Sequence, residues 1–173
     1  MALRQAGHDL VNFNRILAAP SFPKDGSTSQ TMQVLLPGRK FPNHVTADWQ
    51  PFLIGKDGKF RAYFGNETDK DTEGLPDIRE KIRRYIAIDE QQLPKKLYGV
   101  PYFYYPFVAP DEPRMRSMLN LVYELTDGKG HPRFIFNTFP VYNSDETPPP
   151  PDGSFFRSTW KRAWKTDFRM DEI

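Results

Sequence analysis

Apolar residues in this chain recur at two spacings, and the changes between them divide it into elements. Residues 8–18 carry Leu10, Phe13 and Leu17 at helical spacing, which predicts a short helix ended by Pro20 and Pro23. The small, polar stretch 21–30 predicts a loop, and 31–36 a strand stopped by Pro37-Gly38. Phe52 and Ile54, the turn Gly55-Lys56-Asp57-Gly58, then Phe60, Ala62 and Phe64 predict a hairpin, with Arg61 and Tyr63 on its opposite face. After Leu75-Pro76, Ile78, Ile82, Tyr85 and Ile86 form one apolar stripe. Asp77 and Glu80 sit in its early turns and Arg83 and Arg84 in its late ones, which suits the helix dipole. Acid-before-base pairs, Asp77 to Lys81 and Glu80 to Arg84, add to a predicted helix over 75–88.

The stretch 100–108 (VPYFYYPFV) is dense in rings, and Pro101 and Pro106 predict an edge strand or a segment laid across the core. Leu119, Leu121, Tyr123 and Leu125 alternate within 117–126, and 133–142 is apolar on both faces near its middle. A second hairpin is predicted there, its latter strand central or covered on both sides. The fold class expected is α+β: an antiparallel sheet of two hairpins plus extended segments, one central helix, and terminal helices or arms. No βαβ run or glycine-rich phosphate loop is evident, which argues against a doubly wound nucleotide-binding fold. Residues 1–142 form the expected domain. In 143–153 (NSDETPPPPDG) four successive prolines predict a stiff polyproline spacer of about 3.1 Å per residue. Residues 154–173 then form an arm.

Composition sharpens this picture in two places. Aromatic residues reach 14% beside 17 prolines, and cysteine is absent, which excludes disulfides, thiolate zinc sites and a thiol nucleophile. A reducing, intracellular compartment is expected (cytoplasm, organelle matrix or virion). No apolar run approaches a membrane span, and Asn12, Asn14 and Arg15 interrupt any signal-peptide core. Arg4 and Arg15 against the single acid Asp9 give a faint organelle-targeting look, which an ordinary amphipathic helix also explains. The net charge is +2, and the arm alone holds that surplus: Arg157, Lys161, Arg162, Lys165 and Arg169 against Asp167, Asp171 and Glu172.

In the arm an aromatic–basic pair recurs every fourth residue: Phe156-Arg157, Trp160-Lys161, Trp164-Lys165, Phe168-Arg169. On a helix these form two neighbouring slanted stripes, and on a strand the rings take one face and the bases the other. The rings therefore anchor on something. The candidates are the protein's own sheet, a partner subunit held through Trp and Arg, or nucleic acid stacked on Trp with cations at its phosphates. A membrane surface fits less well, because three acids oppose anionic lipid.

The second candidate is acidic. Asp69, Asp71, Glu73, Asp77 and Glu80 fall at positions 1, 3, 5, 9 and 12 of a segment with Gly74 at position 6. This partly resembles the calcium loop of EF-hands, and the resemblance implies a calcium site in which alternate carboxylates turn inward and Glu80 closes the ring. It covers twelve residues and departs from the pattern at Glu73, longer than the usual side chain, at Pro76, where the family carries an aliphatic residue, and in having no clear helix before the loop. The alternative is a solvated acidic loop that favours the following helix N-terminus.

Catalytic signals are thin. His8, His44 and His131 stand apart without metal-binding spacing, Ser154 suits a helix cap better than a nucleophile, and Asp111-Glu112 and Asp145-Glu146 lie beside prolines. The rings of Tyr98, Tyr102, Phe103, Tyr104, Tyr105 and Phe107 suit a core with hydroxyls at its rim, or a pocket or interface. The expected function is a non-catalytic structural or accessory subunit of a larger assembly, of organellar or virion type, with protein subunits as partners and no cofactor beyond the calcium candidate. A nucleic-acid-binding protein using the same arm is the alternative, and an enzyme with a carboxylate cleft a third reading.

Overall fold

The computed structural model describes residues 8–11, 31–47, 52–55, 60–63, 65, 67–69, 73–140 and 154–170. In chain order the described elements are β1 (His8–Val11), β2 (Thr31–Val34), β3 (Asn43–Thr46), β4 (Phe52–Gly55), β5 (Phe60–Tyr63) and β6 (Glu67–Thr68). There follow α1 (Leu75–Glu90), α2 (Leu93–Tyr98), β7 (Tyr105–Ala109), α3 (Glu112–Leu125), β8 (Phe134–Thr138), α4 (Ser154–Arg157), β9 (Thr159–Trp160) and β10 (Phe168–Arg169).

Helices and strands mix as expected, but the centre of the fold is a parallel sheet in the order β6-β7-β8. Helices α1 and α2 connect β6 to β7, and α3 connects β7 to β8. The expectation that no βαβ unit exists is thereby overturned. Antiparallel pairing is confined to smaller sheets: β1-β4-β5, the β2-β3 hairpin and the short β9-β10 pair. The predicted hairpin over 52–64 is present as β4 and β5, with a bulge between Leu53 and Ile54.

Three local expectations are corrected. Residues 8–11 are a strand antiparallel to β4 rather than the start of a helix. An isolated helix of the expected length, 8–18, carries little stability of its own, and a strand partner supplies backbone bonds; residues 12–18 lie outside the described residues. Residues 117–125 belong to α3, with Thr126 as its C-cap, and not to a hairpin strand. The alternation of Leu119 to Leu125 overlies a second pattern, because Met115, Met118, Leu121 and Val122 are the buried residues, at helical spacing. The start is marked as well: the Asp111 carboxylate caps α3 by accepting from the Arg114 amide at 2.7 Å, and Pro113 lies in the first turn.

The third correction concerns 100–108. Its core, β7, is the central strand, not an edge. Pro106 is tolerated because of the side on which its missing N–H falls. The carbonyls of Tyr104 and Val108 accept from Gly65 and Asp69 at 2.8 and 2.9 Å, so even-numbered residues pair toward β6, which is only two residues long. The odd residue Tyr105 donates to Arg133 at 2.8 Å on the long β8 side, where no bond is lost.

Both faces of this sheet are covered, and all five residues of β7 are buried. One face carries Tyr105, Phe107, Phe134 and Phe136, packed against Ile78, Ile82, Tyr85 and Ile88 of α1, Met118 and Val122 of α3, and Met32 and Val34 of β2. Val108 and Ile135 point the other way, onto Trp160 and Met170 of the arm. Most predicted core rings are here: Tyr98, Phe103, Tyr105 and Phe107 are buried, while Tyr102 and Tyr104 are half-buried. The spacer 143–153 lies outside the described residues.

Candidate functional site

The arm does not keep its four-residue period in space. It makes one helical turn (α4), runs out as β9, reverses, and returns as β10 with Phe168 opposite Trp160. Neither a single helix nor a single strand forms, because Trp164 at φ 54° reverses the chain in left-handed backbone. The pairs are therefore dispersed. Trp160 is fully buried on the sheet, its Nε1 donating to the Phe155 carbonyl at 3.1 Å. Phe168 is half-buried against Tyr104, with ring centroids 4.7 Å apart, and Trp164 is 70% exposed. Lys161 bonds β8 through its backbone, exchanging two 2.8 Å bonds with Phe136, while its ammonium lies 2.7 Å from Asp167. Arg157, Lys165 and Arg169 are exposed, and the Phe156 side chain lies outside the described set.

The reversal is braced from both sides. Arg162 donates to the carbonyls of Thr166, Pro132 and Asp167 at 2.5, 3.2 and 3.4 Å and to the Thr166 hydroxyl at 2.8 Å. Gly130 lies so close that a Cβ there would stand 1.9 Å from the Ala163 carbonyl oxygen, so only glycine admits the turn. The Trp164 ring leans on Tyr123 of α3, centroids 4.9 Å apart and planes at 52°. Beside this pair a groove of about 300 Å³ runs between α3 and the arm, lined by Arg116, Leu119, Asn120, Arg162, Ala163 and Trp164. Neither Arg162 nor Lys165 has a carboxylate partner among the described residues, whereas Arg116 pairs with Glu112 at 3.2 Å.

The acidic loop is organised differently. Asp69 is buried 2.6 Å from Arg114 Nε, and Arg114 also donates to the Glu73 carbonyl oxygen. Lys81 lies 2.9 Å from Glu67 and 3.0 Å from Glu73, and the Tyr85 hydroxyl donates to Glu67. Burial works against the Lys81 ammonium, yet Glu67 and Glu73 hold its pKa above the ordinary value. Asp77 accepts from the Gly74 amide at 3.3 Å, inside the first turn of α1, and Glu80 faces Arg83 at 3.4 Å. Asp71 lies outside the described residues. The described carboxylates face cations and an amide rather than one another, and among the described residues no three ligating groups converge. This cluster stands at the carboxyl end of the parallel strands, where α/β sheets commonly bind ligands.

Comparison with protein-family models, curated proteins and solved structures returns no match.

A third cluster was not legible in the sequence. Asp89, near the end of α1, accepts from the Tyr105 hydroxyl at 2.7 Å and lies 2.9 Å from Arg133 and 3.5 Å from His131 Nε2. His131 Nδ1 accepts from the Arg133 amide at 3.3 Å, which occupies that ring nitrogen. Burial, with Arg133 and Lys165 nearby, lowers the His131 pKa from 6.5 to about 4. Asp89 moves the other way: burial raises its carboxyl above the ordinary value, against the Tyr105 hydroxyl and Arg133.

The sign for His131 follows from where the proton binds. The unfolded chain takes it up below about pH 6.5 while the folded one resists until about pH 4, so stability falls with pH across that window. From pH 7 to pH 5 the loss is on the order of 2 kcal/mol from this histidine. Asp89 offsets part of it, since a raised carboxyl pKa favours the folded state as pH falls. His131→Gln should flatten the dependence, as read from urea midpoints at pH 7 and pH 5; an unchanged slope would remove His131 as the cause.

The strand expected over 117–126 gives Tyr123 no link to the arm, Arg116 carries no signal of its own, and the Asp89 cluster is not visible because its members lie far apart in the chain. Gly130 did carry a signal, as a turn residue, without indicating what approaches it. Among the described residues no helix is long and apolar enough to cross a membrane.

Proposed function

We propose that this chain is a non-catalytic accessory subunit of a larger protein assembly, docking through the outer side of its C-terminal arm together with α3. The observation that carries this reading is Trp164, 70% exposed on a turn braced by Arg162 and Gly130 and leaning on Tyr123. A large ring held outward on a fixed turn loses little freedom on binding, and Trp, Tyr and Arg dominate the energetics of protein interfaces. Backbone strain supports the same reading. A tryptophan in left-handed backbone costs roughly 1–2 kcal/mol, which folding alone gives no reason to keep.

Trp164→Asn separates docking from folding, because asparagine tolerates left-handed backbone. Stability is expected to stay within about 0.5 kcal/mol of the parent. The native complex, recovered from its source and analysed by native mass spectrometry, should dissociate, with partner affinity falling by about 30-fold or more. Phe41→Ser, which removes a ring 81% exposed on the β2–β3 hairpin, controls for general stickiness. A complex that survives Trp164→Asn intact would sink the proposal. The nucleic-acid reading draws on Arg162 and Lys165, which lack carboxylate partners among the described residues and lie beside an exposed ring. Salt distinguishes it: log affinity for a single strand falls with log salt by about 0.7 per phosphate contact, while an aromatic-anchored protein interface changes little.

A further inference from the structure

On a different part of the molecule, a cavity of about 400 Å³ opens at the amino ends of β7 and β8, lined by Asp89, Gln92, Lys95, Gly99, Pro101 and Arg133. Its position follows from the chain path. Strand β8 begins one residue after Arg133, α1 ends one residue after Asp89, and α2 with its flanks at Gln92 and Gly99 supplies the remaining wall. Two left-handed residues, Gln92 at φ 54° and Gly99 at φ 70°, bracket α2 and set its angle over the opening.

Arg133 is held on two sides. Its Nη1 stands 2.9 Å from Asp89 Oδ2, and its guanidinium lies over the Tyr102 ring, 4.4 Å from the centroid. Asp89 is in turn fixed by the Tyr105 hydroxyl at 2.7 Å. The rest of the fork is unused: among the described residues, Nε and Nη2 of Arg133 have no hydrogen-bond acceptor. Lys95, exposed on the rim, has no acidic partner there either. With His131 neutral, the cavity holds one carboxylate against two cations.

We propose that this cavity binds a small anion, a carboxylate or a phosphoryl group, with the free edge of Arg133 as its bidentate anchor and Lys95 as the second cation. A guanidinium already oriented by a carboxylate and a ring presents parallel N–H donors at the spacing of two anion oxygens, and little freedom remains to be lost on binding. Gln92 adds an amide at the rim, and Pro101 and Gly99 leave an apolar wall for the carbon skeleton of an organic anion. This inference is independent of the docking surface on α3 and the arm.

The test is an NMR titration of the full chain with inorganic phosphate and, separately, with acetate, at ionic strength held constant with chloride. Saturable shifts are expected at the Gln92, Lys95 and Gly99 amides and at Arg133 Nε. Lys95→Ala should weaken binding by about fivefold, as for an exposed cation. Arg133→Lys, which keeps the charge and removes the fork, should weaken it by about tenfold or more. Preference for phosphate identifies a phosphoryl ligand and preference for acetate a carboxylate. Shifts that do not saturate, or that match the chloride control, or that survive Lys95→Ala unchanged, overturn the proposal. Lys95 is exposed, so its variant decides the matter even if Arg133→Lys does not fold.

Discussion

Replacing Trp160 with alanine is expected to lower stability by about 3–5 kcal/mol, because it empties a fully buried indole site. The ring lies edge-on to Phe155, centroids 4.9 Å apart, and tilted against Phe139 at 5.8 Å, over Val108 and Ile135. Its loss also leaves the Phe155 carbonyl without its indole donor. For a domain of this size each kcal/mol shifts Tm by roughly 2–4 °C, so a fall on the order of 10 °C is expected in calorimetry. Trp164→Asn provides the contrast: of two tryptophans four residues apart, Trp160 is expected to cost stability and Trp164, on the proposed docking role, only partner binding. A loss below about 1 kcal/mol for Trp160→Ala would mean that the arm does not pack on the sheet in solution.

Arg114→Met should cost a comparable amount, about 3–5 kcal/mol, by removing the guanidinium that faces the Asp69 carboxylate, whose side chain is 1% exposed. Arg114 ties three elements at once. It binds Asp69 after β6, the Glu73 carbonyl before α1, and sits in the first turn of α3. The compensating variant Asp69→Leu with Arg114→Met removes both charges, and it should recover much of the loss, since a buried ion pair offsets its own desolvation only narrowly. Urea denaturation of the two single variants and the double one gives the coupling energy; additive losses would show that the two charges do not depend on each other.

How far the sequence could be read depended on whether a residue's role was local. Helix α1 was legible because stripe, dipole charges and ion pairs all lie within one segment and agree. The 52–63 hairpin was legible for the same reason, its turn and alternation being adjacent. The strand at 134–138 was legible as doubly covered, since Phe134, Ile135 and Phe136 are apolar in succession and each is buried. Helix α3 was not, because a helix of mixed outer face can also show alternation. Asp111 and Pro113 at its start, more than the apolar positions, distinguish the two.

The arm shows where the boundary falls. Its aromatic–basic pairs, its charge surplus and its need for a surface to lie on were all written in residues 154–173. Which ring faces inward was not. That depends on Gly130, which lies 33 residues before the Ala163 carbonyl it lets approach, and on Tyr123 in a helix the pattern concealed. Composition and periodicity determined the strong local elements and the amphipathic character of the tail. The tertiary structure alone decided that β7 is central, that the sheet is parallel, and that Trp160 is core while Trp164 is surface. The physical reason is that periodicity reports how a segment prefers to divide its faces. Strand direction and burial depend on contacts between residues far apart in the chain, and those contacts have no local spacing to read.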